Sequence, residues 1–284
     1  MKSTSSLSSN GQWPRAAGFW HQIGPPLRPV AEDVALFENA IKAASTGQSA
    51  GSLRGLILGV TPELYSLPWP AGSEVRAADR TAEMIEYVWP GSTSMVFQSD
   101  WREIDSPDAS FNIILCDGGW HLLDYPQEQA QLAHQLARML IPGGLFAVRL
   151  FVTPVVPEHP DEVLKELFSG TIPNLNQLKL RLGMAMQTSA EKGVALHDIW
   201  TQLNRLEADW SHLAERLGWP LEHLEAIEAY HDTSARYHFV TVEQVIEQLC
   251  RASGGSFQLE DMSTPAYPMG GQCPTLLFRR QADD

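Results

Sequence analysis

The chain has 284 residues, with 34 acidic and 20 basic side chains and a formal net charge of −14. No cluster of Lys and Arg is visible, so nucleic acid and anionic membrane surfaces are excluded as expected partners, since both bind by phosphate neutralisation. Apolar residues make up 44% and charged residues 19%, a balance that supports a sizeable core rather than a disordered chain. The three cysteines, Cys116, Cys250 and Cys273, match no metal spacing and cannot all pair. They read as reduced thiols of a cytoplasmic protein. No apolar run reaches about 18 residues, so no membrane span is expected.

The start, Met1 to Gln12, is Ser-rich and lacks an apolar stretch. Residues 1–18 are expected to form a flexible tail and not a signal peptide. Buried-strand candidates follow at Leu53–Gly59, Val75–Ala78, Ser94–Phe97, Phe111–Cys116 and Leu145–Phe151, the last introduced by Pro142-Gly143-Gly144. These runs are rich in Ile, Leu and Val without strict alternation, as parallel strands covered on both faces should be. Between the fourth and fifth, Pro126–Leu140 has apolar positions at helical spacing, with Pro126 suited to a helix start. Strands alternating with helices predict a doubly wound α/β sheet over residues 19–151.

Residues 152–251 hold helical patterns and almost no strand signal. Helices are expected over Asp161–Phe168, Leu175–Met186, His197–Leu217, Leu221–Tyr230 and Val242–Cys250. Strand character returns at Phe257–Met262 and Thr275–Arg280, so residues 252–284 are read as an antiparallel hairpin closing the sheet. The helical segment then becomes a lid inserted between the fifth and sixth core strands, above the sheet edge where open α/β sheets bind ligands.

The strand ends carry the chemistry. Strand one ends in Leu58-Gly59-Val60-Thr61-Pro62-Glu63, where glycine permits a tight turn and close ligand approach. Thr61 and Pro62 suit the cap and first position of a helix, whose amides favour a polar ligand group. Asp79 ends strand two, 20 residues after Gly59, at a spacing suited to binding ribose hydroxyls. Strand three ends at Asp100-Trp101, an acid and an aromatic that suit an adenine amino group and ring face. Strand four ends at Asp117-Gly118-Gly119-Trp120-His121. The phosphate-cradling G-x-G-x-x-G pattern is absent, which disfavours a nicotinamide cofactor.

This order of motifs resembles the class I S-adenosylmethionine (SAM)-dependent methyltransferases over roughly Leu53 to Phe151. Pro142-Gly143-Gly144 resembles that family's LxPGG signature. Met84-Ile85, Trp89-Pro90-Gly91, Trp20 and Pro25-Pro26-Leu27-Arg28-Pro29 resemble a bacterial subgroup with methyltransferase type 11/12-like domains. The resemblance implies a Rossmann-like seven-stranded sheet and SAM as cofactor. It further implies that Gly59, Thr61, Asp117 and Gly118 lie against the methionine moiety. Asp79 would bind ribose, and Met84, Asp100 and Trp101 would meet adenine. Trp20, Arg28 and Pro62 complete the expected cofactor set. The sequence departs from the family at Ile57, which replaces an acid, and at Thr61 and Glu63, which stand where later glycines are usual.

On the acceptor side, Arg28 is either a surface cation or a carboxylate partner, and Arg149 either an exposed strand-end residue or a substrate contact. His121 is either a proton acceptor or a hydrogen-bonded loop histidine; Asp124 and Tyr125 share that ambiguity. In Tyr230–His238, the residues Tyr230, Arg236 and Tyr237 are candidates for touching substrate. The other large side chains of the insertion (Trp200, Trp210, Trp219, His197, His212) read as packing between helices. Lys179 and Arg181 read as solvated, or as contacts for an acidic substrate.

The expected function is methylation of an O, N or C centre on a small metabolite, without nucleic acid or membrane partners, by a monomer or homodimer. One alternative is a SAM-consuming enzyme that cyclises the cofactor's aminobutyrate moiety and releases methylthioadenosine. Another is a non-catalytic SAM-binding or partner-binding protein. No metal is expected.

Overall fold

The computed structural model describes residues 12–46, 51–252 and 255–282. Residues 1–11 of the expected tail lie outside the described residues. The tail expectation fails for residues 13–18, which form helix α1 (Trp13–Gly18). Its start is anchored by a buried Gln12.

Seven strands build one sheet: β1 (Arg54–Leu58), β2 (Glu74–Asp79), β3 (Val96–Gln98), β4 (Phe111–Asp117), β5 (Leu140–Arg149), β8 (Phe257–Ser263) and β9 (Thr275–Arg280). Their order is β3-β2-β1-β4-β5-β9-β8. The first five are parallel, and β9 runs antiparallel to both β5 and β8. This is the Rossmann-like seven-stranded sheet expected of the class I methyltransferase fold. The register pairs Asp117 directly with Arg149 across β4 and β5.

Both faces of the central strands are buried, which explains their unbroken apolar runs. Ile57, Ile113, Leu115, Leu145 and Ala147 pack against Phe37 and Ile41 of α2 (Ala31–Thr46). Their neighbours Leu56, Leu58, Ile114, Cys116, Phe146 and Val148 pack with Leu132 and Leu136 of α5 (Gln127–Met139). Each fully buried Leu or Ile contributes about 1.5–3 kcal/mol. Two short helices, α3 (Pro62–Tyr65) and α4 (Ala82–Tyr87), follow β1 and β2.

Two local readings change. Residues 93–95 form a 3-10 turn capped by Ser92, so β3 starts at Val96. Pro142-Gly143-Gly144 lies inside β5 rather than before it, next to a register shift between Phe111 and Ile113. There Gly143 adopts a left-handed φ of 77°.

Between β5 and β8 the chain is mainly helical. It forms α6 (Pro160–Ser169), α7 (Leu175–Met186), α8 (Leu196–Leu206), α9 (Trp210–Leu217), α10 (Leu221–Glu225) and α11 (Val242–Glu247). The helix expected over His197–Leu217 is broken at residues 207–209, because Asp209 caps a new helix by accepting from Ser211 N at 2.9 Å. The pair β6 (Val194–Ala195) and β7 (Arg236–Tyr237) is antiparallel. This segment has its own core, including Leu178, Leu180, Leu182, Ile199, Leu203, Leu213 and Phe239. Phe151 and Cys273 join that core from the sheet side. Trp200 and Trp210 both donate to Oε1 of Glu228, at 2.9 and 2.6 Å, a packing role as expected. No described helix is long and apolar enough to cross a membrane.

Candidate active site

The carboxyl ends of β1, β2, β3 and β4 open into one cleft of about 1300 Å³, counted with its open mouth. Trp13, Phe19, Trp20, Ile23 and Leu27 from the N-terminal segment form one wall. Lys179, Ala226, Ala229, Tyr230 and Tyr237 from the helical segment also line the cleft.

Gly59 turns away from β1 with φ at 91°, a conformation that favours glycine. Its amide donates to Ala78 O at 2.8 Å. The same carbonyl accepts from the Trp101 indole at 2.7 Å, which fixes the ring beside the turn. Gly119 is needed there too: a Cβ on it would stand 2.5 Å from the Trp101 ring.

Asp79 ends β2 with one oxygen accepting from Thr81 N at 2.8 Å. Burial raises its carboxyl to about 6, only partly offset by the bonds to Thr81. A carboxylate so placed gains from two further hydroxyl donors. Asp100 is different. Arg102 grips it in a fork, Nε to Oδ1 at 2.8 Å and Nη2 to Oδ2 at 2.7 Å. Burial alone would raise its carboxyl, but the Arg102 bonds more than offset that and leave it below the usual range. Met84 is buried and lines the cleft with both acids.

Arg28 also lines the cleft, but not as a free surface cation. Its Nε donates to Glu63 Oε1 at 2.9 Å, and its guanidinium lies over the Trp20 ring at 5.3 Å. Gly59, Thr61, Asp117 and Gly118 line the same region. Pro62, the first residue of α3, does not.

Arg149 overturns both sequence readings, since it is neither exposed nor in the lining. It is fully buried and pairs with Asp117 (Nε to Oδ1, 2.5 Å) and with Asp33 (3.5 Å). It also donates to Pro26 O at 2.8 Å. Burial alone would lower its pKa, but the two carboxylates more than offset that, so it stays cationic. Tyr267 closes the network by donating to Asp33 at 3.1 Å. Arg149 therefore ties the entry segment and β4 to β5, and its donors are spent inside the protein. Arg236 is likewise outside the cleft: it is exposed, and it donates to Lys192 O at 2.8 Å and to Gly193 O at 3.3 Å.

His121 lines the cleft and is buried. It stacks on Phe239 at 5.3 Å and meets Tyr237 edge-on at 4.4 Å. Its Nδ1 has no partner among the described residues. Burial, reinforced by His238 and Arg149, pushes its pKa down to about 3, so the ring is neutral at physiological pH. The Tyr230 and Tyr237 hydroxyls stand 3.1 Å apart, and Gln12 Nε2 reaches the latter at 3.5 Å. Burial raises both phenols, which stay protonated. Asp124 and Tyr125 are not in the lining.

Three relevant residues escape the sequence reading. Asp33 and Tyr267 have partners more than 80 residues away in the chain, in a network that no local pattern marks. Trp13 falls in the segment expected to be a tail. Lys179, read from sequence as solvated or as a contact for an acidic substrate, is buried and lines the cleft. Arg181 is occupied by Glu158 and Glu166. Among the described residues, no group of three or more His, Cys, Asp or Glu is placed to hold a metal ion.

Residues 56–148 match the family model of a methyltransferase domain. No curated protein matches the chain. Among solved structures, a putative Zn-dependent alcohol dehydrogenase from Rhodobacter sphaeroides superposes with a TM-score of 0.58 at 13% identity, over 95% of this chain and 97% of that one; the likeness is one of fold alone. The N-methyltransferase NodS from Bradyrhizobium japonicum WM9, solved with S-adenosyl-L-homocysteine, gives 0.47 at 11% identity over 92% and 91% of the two chains. A SAM-dependent methyltransferase from Mesorhizobium loti gives 0.44 at 16% identity over 85% and 96%. The matched residues run from within β1 to within β5, across the strand ends that form the cleft floor. Residues 56–148, from within strand β1 to within β5, therefore form a methyltransferase domain.

Proposed function

We propose that the chain transfers the methyl group of SAM to a small-molecule acceptor enclosed between the sheet edge and the helical segment. The observation that carries this reading is the cleft's double lining. Polar strand ends form one side, and Tyr230, Tyr237, Ala226 and Ala229 of the helical segment form the other. A macromolecular acceptor needs an open face beside the reacting centre, whereas this wall suits a compact, largely apolar molecule.

The residues present fit the cofactor. The Asp79 carboxylate would hold the ribose hydroxyls, and the Trp101 ring and Met84 would flank adenine. Asp100 keeps free lone pairs for the amino group even while Arg102 holds it. Arg28, Gly59, Thr61, Asp117 and Gly118 line the cleft and would surround the methionine end. When bound, SAM supplies an electrophilic methyl on a sulfonium. The protein's task is then positioning, exclusion of water and charge complementarity. His121 is too weak a base to take a proton at neutral pH; it shapes the wall. Tyr230 and Tyr237, both protonated, orient the acceptor by hydrogen bonds. Their ring faces favour positive charge nearby.

The test is turnover with a size-fractionated cell extract. SAM-dependent formation of S-adenosylhomocysteine should follow the low-molecular-mass fraction. Activity confined to protein or nucleic acid fractions would refute the small-molecule reading.

A further inference from the structure

Lys179 is a buried ammonium in an otherwise apolar wall. It sits in α7, whose residues from Leu175 to Leu180 are all buried, and it is 5% exposed. Its Nζ lies 5.2 Å from the centroid of the Tyr230 ring. No carboxylate pairs with it among the described residues, and its only electrostatic influence is burial, which lowers its pKa to about 8. Beside the cleft the buried Arg149 has Asp117 and Asp33, and in its lining the half-buried Arg28 has Glu63. Burying a cation without a counter-ion is costly, and a single cation–π contact offsets only part of that cost.

We infer that Lys179 is a specificity-determining residue that pairs with an anionic group, a carboxylate, on the acceptor. The inference rests on the reading that the cleft holds the acceptor beside SAM. Lys179 lines the cleft, so a carboxylate entering there supplies the missing counter-ion. The surrounding groups define the rest of the molecule. Tyr230, Ala226 and Ala229 give an apolar surface, and the two tyrosine hydroxyls give a polar edge. The substrate class is a small carboxylic acid with a flat or aromatic body. SAM carries a sulfonium into the same cavity, and the single negative charge of the acceptor offsets part of the combined positive charge there. The chain's net charge of −14 repels such an acid in bulk solution, so recognition draws on the local charge of Lys179.

The experiment uses the full chain saturated with S-adenosylhomocysteine. Calorimetry measures binding of benzoate, phenylacetate, indole-3-acetate and 4-hydroxyphenylacetate, each against its neutral carboxamide, with wild type, Lys179→Met and Lys179→Arg. The expected result is that at least one acid binds the wild type about 10- to 100-fold more tightly than its amide. That preference should vanish in Lys179→Met and be partly kept in Lys179→Arg. S-adenosylhomocysteine affinity, unchanged in both variants, reports an intact fold. Equal binding of acids and amides, no acid binding at all, or a preference that survives Lys179→Met overturns the inference. The two readings fail separately. A methylated product that lacks an anionic group leaves methyl transfer standing and removes the role of Lys179. Acid-selective binding without any methyl transfer does the reverse.

Discussion

Asp79→Asn is expected to move stability and cofactor binding in opposite directions. Burial raises the Asp79 carboxyl from 3.8 to about 6, so the cofactor-free folded chain holds this proton more tightly than the unfolded chain does. The stability that the group contributes is full below about pH 4 and is lost as pH rises through about 6. The shift of about 2 units corresponds to at most about 3 kcal/mol. The group faces a cleft open to water, so about 1 kcal/mol is the realistic figure. Asparagine carries no charge, and at pH 8 the cofactor-free variant should melt about 2–4 °C above wild type. S-adenosylhomocysteine affinity should instead fall about 10- to 100-fold, because the ribose hydroxyls lose a charged acceptor. In the wild type, that affinity should drop about tenfold per pH unit below about 6 and stay flat above 7, while the variant shows no such dependence. Thermal melts with calorimetry at several pH values read all three. A variant that is less stable without cofactor, or one with unchanged affinity, would refute the reasoning.

Arg149→Met leaves Asp117 and Asp33 buried without their cation and should cost about 3–5 kcal/mol in denaturant unfolding; Asp33→Asn in the same chain should recover part of it. His121 is held neutral, so the stability tied to it is full above about pH 6.5 and is lost as pH falls toward about 3, by about 1.4 kcal/mol per unit. His121→Phe should accordingly unfold less steeply with acid over that range, as followed by circular dichroism; an unchanged slope would count against burial of the neutral ring. Gly119→Ala drives a Cβ into the Trp101 ring and should cost about 1–3 kcal/mol of stability while weakening S-adenosylhomocysteine about tenfold, as measured by denaturant unfolding and calorimetry.

The sheet is legible in the sequence because its signal is local. Parallel strands covered on both faces must be apolar throughout, and residues 54–58 and 111–117 are nearly so. Strand ends are equally local, which is why Gly59, Asp79, Asp100 and Asp117 can be read as one edge and all line the cleft. What the sequence hides depends on distant partners. Arg149 looks like a strand-end cation until Asp33, Pro26 and Tyr267 converge on it from 116 to 123 positions away. Lys179 stands as a lone charge among leucines that local sequence leaves as either solvated or an acid's partner, and only the packing of α7 against α6, α8 and Tyr230 buries it. The break between α8 and α9 escapes because its apolar spacing continues across it, and only the cap bond of Asp209 reveals it.

The central claim is methyl transfer in this cleft, and trideuteromethyl-labelled SAM tests it most directly. The purified chain is incubated with the label and a metabolite extract, and products are read by mass spectrometry. The account predicts S-adenosylhomocysteine together with one small acceptor carrying the intact CD₃ group, both lost in Asp79→Asn at cofactor concentrations near the wild-type Kd. Methylthioadenosine formed from SAM alone, with no labelled acceptor, would contradict it.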